Sequence, residues 1–547
     1  MENSSKKVVV VGSGSAALVS ALAAKEAGLD PLIIESTNFV GGSSAMSGGG
    51  LWIPNNRLML KAGIHDSYED AKLYMDTVIG DVGPASSPER REAFLREGPR
   101  LIEWLEGLGF RFSYTPGYAD YYPEKPGGSV KGRSVEPDFF DTKKLGEWKN
   151  KLNNALPLAL HTLDASQISL SMRNFSAFLH TAYLIGVVNV GSRLLGKSLT
   201  GLGGALVGQL LSLVLQRNIP IWLNCPLVEL LQENGKIRGV VVEKEGQRTE
   251  ILANVVIVAA GGFAHNNEMR QKYHPHPITS DWTVASPGDL GGPIQAGIAA
   301  GAATALMDDA WWGPVFLDSK GKSQFMLWER SAPYGFIVDS SGKRFMNESA
   351  SYVDCGHWQY ERNKEVPAIP AYMIMDSRHR KYYPFGTMLP GMTPKEVYES
   401  GMLVKADSLP ELARILGIDE NNLVETAKRF NQFAITGKDL DFHRGDSAYD
   451  RVYSDPKIKP NPNLAPVERP PFMAVRVWPG DLGTKGGLLT DEFARVLNKN
   501  GKPIEGLYAA GNSSASVMGH TYPGPGSTLG PAMVFGMIAG RHAATVK

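Results

Sequence analysis

Residues Lys6 to Glu35 read KKVVVVGSGSAALVSALAAKEAGLDPLIIE, and the succession of residue types in this stretch decides the fold. A β-branched run, a glycine turn, an alanine-rich helix and a second apolar strand ending in an acid follow one another, which predicts a single βαβ unit. Gly12 permits the tight turn, and Gly14 lets the backbone approach a pyrophosphate. Ala17 stands where a third glycine would allow close helix packing. The helix N-terminus, with Ser15 and Ala16 in its first turn, offers N–H groups and a partial positive charge to phosphates. Glu35, followed by Ser36, is placed to accept a hydrogen bond from a ribose hydroxyl. The unit is read as a dinucleotide site.

Segments further along the chain favour FAD over NAD. GGSSAMSGGG (Gly41 to Gly50) is a small-residue loop in which Gly42, Ser43, Ser44, Gly48 and Gly49 could let an extended nucleotide run close to backbone. NVVIVAAGGFAHN (Asn254 to Asn266) gives another buried strand, ending at Ala260 and Gly261, and Val228 is placed in the same cofactor set. GLYAAGNSSASVMGHTYPGPGSTLGPAMVFGMIAGRHAA (Gly506 to Ala544) reads as a strand, a glycine loop and a long helix. It adds Gly511, Asn512, Ser527 and Leu529 to that set. Chain start and chain end thus build one nucleotide domain, and a second domain must be inserted between them.

Composition narrows the function classes. The chain has 547 residues, enough for two or more domains with ample apolar interior. Its 56 basic residues balance 56 acidic ones, so no overall field draws it to nucleic acid. The two cysteines, Cys225 and Cys355, lack the clustering of a disulfide framework or a zinc site, no metal is expected, and a reducing cytoplasm fits. Residues 1–7 run directly into the first strand, so no cleavable signal is expected.

Two stretches of nineteen residues carry no Asp, Glu, Lys or Arg: NFSAFLHTAYLIGVVNVGS (Asn174 to Ser192) and SLTGLGGALVGQLLSLVLQ (Ser198 to Gln216). The second leads into the strand IPIWLN and is expected to be a buried helix. The first has two readings: a core or dimer-contact helix, or a monotopic patch beside Arg193 and Lys197 that dips into a membrane. Peripheral attachment to the inner face of the cell membrane follows from the latter.

Taken together, the nucleotide segments resemble the succinate dehydrogenase and fumarate reductase flavoprotein superfamily. DYYPEKPGG (Asp120 to Gly128), GKRFMNESASY (Gly342 to Tyr352) and HTYPGPGSTLGPA (His520 to Ala532) resemble 3-ketosteroid Δ1-dehydrogenases. The resemblance implies an α/β, FAD-binding Rossmann-like domain of the glutathione-reductase type, with an inserted α+β catalytic or cap domain. The expected division is 1–282 and 481–547 for the FAD domain and 283–480 for the insertion. It implies four catalytic groups: Tyr352 as base, Tyr121 supporting it, and the Tyr522 hydroxyl with the Gly526 N–H on the ketone oxygen. Tyr118 and Tyr122 stand close enough to compete for the place of Tyr121. Arg344, Asn347 and Glu348 are read as holding the turn before Tyr352, and His520 as structural.

The chemistry accounts for these residue types. Desaturating C1–C2 beside a 3-ketone requires a proton from C2 and a hydride from C1, and two donors on the ketone would stabilise the developing enolate by about 3 to 4 kcal/mol each. Lowering a tyrosine pKa from about 10 to about 7 needs roughly 4 kcal/mol, which explains a tyrosine pair better than one alone. FAD would be noncovalent, because the loop after Glu35 lacks the histidine that superfamily members use for attachment. Electrons would pass to a quinone-type acceptor. The loop GHTYPGPGSTLG carries no Arg or Lys to clamp a dicarboxylate, and Trp311 and Trp312 suit a flat apolar substrate such as cholest-4-en-3-one. Competing readings are Δ4-(5α) steroid dehydrogenation, a fumarate-type ene reduction, and a flavin-holding lipid-binding protein without turnover.

Overall fold

The computed structural model describes residues 6–153 and 156–546; the expectation for the N-terminal leader lies mostly outside them. Lys7–Val11 is the inner strand of a six-stranded sheet, flanked by Val255–Val258 and Asp30–Ile34 in parallel register. Outward from Val255–Val258 come Pro503–Ala509 and the antiparallel edge Arg495–Leu497; beyond Asp30–Ile34 lies Ile221–Trp222. Val8 to Val11 are buried because helices cover one face of the sheet and a three-stranded layer, 227–252, lies on the other.

The helix Ser15–Glu26 is almost entirely buried, since the last helix, Leu529–His542, packs along it. Small residues permit this contact: a Cβ on Gly536 would lie 2.6 Å from the Ala16 carbonyl oxygen, and one on Gly540 would lie 2.4 Å from that of Ser20. The strand, glycine loop and helix expected for Gly506 to Ala544 therefore sit directly on the first βαβ unit.

A second six-stranded sheet, wholly antiparallel, is made of Ser323–Phe325, Ala310–Leu317, Phe472–Thr484, Ala371–Met375, Gly335–Val338 and Leu403–Ala406. Helices Tyr352–Asn363, Leu409–Leu416 and Glu420–Thr436 accompany it. Its longest strand, Phe472–Thr484, crosses residue 480, so one strand reaches from this sheet into the nucleotide region.

The two uncharged runs take opposite places. Leu202–Gln216 is buried beside the first helix. The other run forms Phe175–Ala182, a π-helical stretch Tyr183–Gly191 and the turn Ser192–Leu194, and most of its large apolar side chains are exposed. That exposure rules out the reading as a fully buried core helix: only its inner side, with Ala177, Leu184 and Asn189, packs on the rest of the chain.

Candidate active site

The nucleotide end of the site is made of backbone turns. Gly12 has φ 104°, and a Cβ there would lie 2.4 Å from the Ala259 carbonyl oxygen, so only glycine fits where the turn crosses the end of Val255–Val258. Ser44 Oγ accepts from the Ser15 N–H at 3.1 Å and joins the helix Gly42–Met46 to that turn. Glu35 is buried and fixed in orientation: Ser13 Oγ donates to Oε2 at 2.6 Å, while Thr37 N, Thr37 Oγ1 and Ser36 Oγ donate to Oε1. The Cys225 N–H donates to the Glu35 carbonyl at 2.8 Å and ties the chain just ahead of the strand Leu227–Glu233, which carries Val228, to the end of Asp30–Ile34.

Gly511, at φ 63°, lies against Ala16, and Ser513 Oγ accepts from the Ala260 N–H and donates to the Gly261 carbonyl. Asn512 Oδ1 accepts from Trp311 Nε1 at 3.1 Å. Gly49 abuts the backbone of Leu202 and Gly203, and the Gly48 carbonyl accepts from Thr162 Oγ1. These turns crowd small residues and backbone amides around one oriented carboxylate, a donor and acceptor set that fits an adenine dinucleotide. Asp289 was not among the sequence candidates. It accepts from Ser43 Oγ at 2.9 Å, a Cβ on Gly261 would meet its Oδ1, and burial pushes its carboxyl up to about 7. The turn SPGDLGG was the signal that could have found it.

At the other end, Tyr121, Tyr352 and Tyr522 form a buried triangle drawn from three distant parts of the chain. Ring centroids of Tyr121 and Tyr522 are 5.0 Å apart at 18°, those of Tyr352 and Tyr522 5.0 Å at 62°, and those of Tyr121 and Tyr352 5.4 Å at 80°. Tyr352 opens the helix Tyr352–Asn363 and Phe325 packs on its edge. Burial pushes all three hydroxyls above their ordinary value. Of the competitors of Tyr121, Tyr122 donates to Asp354 Oδ1 at 3.0 Å, while the Tyr118 hydroxyl pairs with that of Tyr453 at 2.9 Å and remains in reach of Tyr121.

The loop carrying Tyr522 and Gly526 is clamped at both prolines. The Pro523 carbonyl accepts from the Tyr121 N–H (2.9 Å) and from the Tyr74 hydroxyl (2.6 Å), and the Pro525 carbonyl accepts from Ser134 Oγ (2.5 Å). Ser527 is spent within the loop, donating to the Gly524 carbonyl and accepting from its N–H. Gly526, at φ 98°, lies so close to Gly50 that a Cβ would sit 2.4 Å from its carbonyl oxygen.

Beneath the loop, Asp309 bonds His520 Nδ1 (2.9 Å), His357 Nε2 (2.8 Å) and Lys485 Nζ (3.3 Å). Burial would raise this carboxyl, but Lys485 and the two histidines outweigh it and hold it far below the usual range. His357 rides on the helix that begins with Tyr352, so Asp309 ties that helix to the Tyr522 loop. Arg344 pairs with Glu348 and Asp439, and Asn347 donates to Asp450, all within the support of the Tyr352 turn. Trp311 stands edge-on to Tyr522 at 5.3 Å, whereas Trp312 packs with His274 and Tyr360. Adjacent residues of a strand face opposite ways, so only the first tryptophan joins the tyrosines.

A family model described as an FAD binding domain matches residues 7–529. The 3-oxosteroid 1-dehydrogenase of Mycobacterium tuberculosis (strain ATCC 25618 / H37Rv) is 43% identical over 554 residues, covering 98% of each chain. The chain belongs to the 3-oxosteroid 1-dehydrogenase family. A crystal structure of a 3-ketosteroid Δ1-dehydrogenase from Sterolibacterium denitrificans, in complex with 1,4-androstadiene-3,17-dione, superposes with a TM-score of 0.93. It is 36% identical, with 99% of this chain and 100% of that one covered. A relative from Sinomonas cyclohexanicum, 32% identical over 98% of this chain and 92% of its own length, is a 4-oxocyclohexanecarboxylate 2-dehydrogenase. Membership in the 3-oxosteroid 1-dehydrogenase family makes the chain an FAD-dependent oxidoreductase and displaces the reading of a flavin-holding protein without turnover.

Proposed function

We propose that this chain desaturates C1–C2 of 3-oxo-4-ene steroids, with Tyr352 taking the C2 proton as tyrosinate and Tyr121 supporting it. The Tyr522 hydroxyl and the Gly526 N–H hold the C3 oxygen as negative charge develops on it. The observation that carries this reading is the tyrosine triangle, its rings within 5.4 Å of one another beside a glycine whose backbone must stay bare. Clamping at both prolines keeps the two donors in place before substrate arrives, so little reorganisation accompanies charge development. FAD, when bound, supplies the hydride acceptor. Gly12, Gly14, Ser15 and Glu35 hold its nucleotide half, and no histidine in the loop after Glu35 is available for covalent attachment.

The exposed helix Phe175–Leu194 supports a substrate taken from lipid, such as cholest-4-en-3-one, and a lipid-soluble quinone as the acceptor. The protein would then work from the cytoplasm against the inner face of the cell membrane.

Anaerobic addition of cholest-4-en-3-one is expected to bleach the bound flavin and produce a cross-conjugated dienone absorbance. Androst-4-ene-3,17-dione run in parallel reads side-chain preference. Flavin that stays oxidised with every 3-ketosteroid tried would overturn the reading. The Tyr352→Phe protein should retain FAD while losing turnover about 10²- to 10⁴-fold, the range for a general base.

A further inference from the structure

Arg330 is a guanidinium sealed in the protein beside the tyrosine triangle. Its Nη1 donates to the carbonyls of Glu348 and Ala350, just ahead of Tyr352, and Nε donates to the Met326 carbonyl at 3.1 Å. Among the described residues it forms no salt bridge, a trait it shares with the buried Arg90 and Arg380, whereas Arg133, Arg270, Arg344 and Arg444 are each paired with a buried carboxylate. A buried cation without an anion is costly.

The acids that interact with Arg330 include the Cys355 thiol and the tyrosines Tyr449 and Tyr121. The Tyr453 hydroxyl and the carboxyls of Glu329 and Asp354 feel its charge as well, and burial raises both carboxyls, Glu329 to about 7. Burial pushes the Cys355 thiol up to about 12, so at neutral pH it supplies no negative charge. Tyr449, which the sequence reading passed over, is buried and lies against Tyr121 with ring centroids 4.1 Å apart at 34°. Its hydroxyl is buried with no hydrogen-bond partner among the described residues, and it interacts electrostatically with both Tyr121 and Arg330.

We propose that Arg330, acting through the Tyr449 hydroxyl, is the counter-charge that allows the Tyr121–Tyr352 pair to carry a negative charge. The inference rests on the reading of Tyr352 as base and adds two positioning residues to it. Proton loss from a tyrosine buried among other tyrosines is opposed by each neighbour, and a cation outside any ion pair offsets that; the other buried cation beside the Tyr522 loop, Lys485, is paired with Asp309. Arg330 is held by main-chain carbonyls, and no carboxylate lies within salt-bridge distance of it among the described residues.

The test is the pH dependence of kcat/KM in flavin-loaded protein. Activity requires the deprotonated base, so it falls on the acid side. Weakening the counter-charge raises the pKa of the base and moves that limb to higher pH. Tyr449→Phe keeps the ring stacked on Tyr121 and should move the limb up by about one unit, with the rate recovering at alkaline pH. Arg330→Gln should move it further, within the one to three units typical of a nearby opposite charge, and Arg330→Lys should restore most of the shift. A merely structural loss would lower the rate at every pH and leave the limb in place; that result in Tyr449→Phe overturns the inference even if Arg330→Gln fails to fold. Turnover retained by Tyr352→Phe would instead overturn the base assignment itself.

Discussion

Two helical segments of almost the same composition, Phe175–Leu194 and Leu202–Gln216, lie a few residues apart and have opposite surroundings. In the second, the apolar side chains point into the protein, and the polar Gln209 is satisfied by the Arg111 and Asp138 backbone. In the first the arrangement is inverted. Asn189 is buried and bonds Ala159 and Leu184, His180 bonds Asp164, and Ser192 donates to the Asn189 carbonyl. Phe175 and Leu194 meanwhile stand 73% and 84% exposed, which no solvent-facing helix of a water-soluble core requires. Composition alone reported only that both were apolar; which way the polar residues point tells what each helix covers.

The sharpest way to break this contrast is to place one charge on each helix. Leu210→Asp puts an unpaired carboxylate in a site that excludes water, and should cost more than about 4 kcal/mol and prevent recovery of flavin-loaded protein. Leu179→Asp, on the outer face, should change unfolding free energy by less than about 0.5 kcal/mol in denaturant titration. A comparable collapse in both would show that the outer face is packed in the working protein.

A smaller effect is expected from replacing Phe175, Phe178, Ile185 and Leu194 together by serine. Each apolar side chain taken from water contributes about 1.5 to 3 kcal/mol, so sedimentation with phospholipid vesicles should fall at least about a thousandfold while flavin content is unchanged. If a dimer dissociates instead, seen by analytical ultracentrifugation, the helix is a contact between copies of this chain. The smallest effect belongs to the rim: Arg193→Gln and Lys197→Gln should each weaken binding to anionic vesicles about fivefold, or about 1 kcal/mol, and leave binding to neutral vesicles unaltered.

The legible parts of the sequence were those whose signal is local. Gly12, Ala17 and Glu35 declare a nucleotide turn within thirty residues, and the parallel sheet stands as that stretch implies. The tyrosines were legible only through their motifs, since nothing local in DYYPE says that Tyr121 and not Tyr122 turns inward; Tyr122 is held by Asp354, more than two hundred residues away. Arg330, Tyr449 and Asp309 were illegible because their surroundings are assembled from distant strands and helices, and a lone arginine or tyrosine in a loop carries no pattern. Trp312 misled for the opposite reason: it adjoins Trp311 in sequence, and strand alternation separates them.

The position of Pro503–Ala509 against Val255–Val258 also has a kinetic side. During synthesis the Val255–Val258 edge emerges long before its partner, and at roughly 5 to 20 residues per second the interval is on the order of ten to fifty seconds. Through that time an apolar, hydrogen-bond-hungry edge has no native neighbour, and the last helix is not yet there to cover the first. The parallel sheet thus closes only once nearly the whole chain has been made, and until then its nucleotide site is half built.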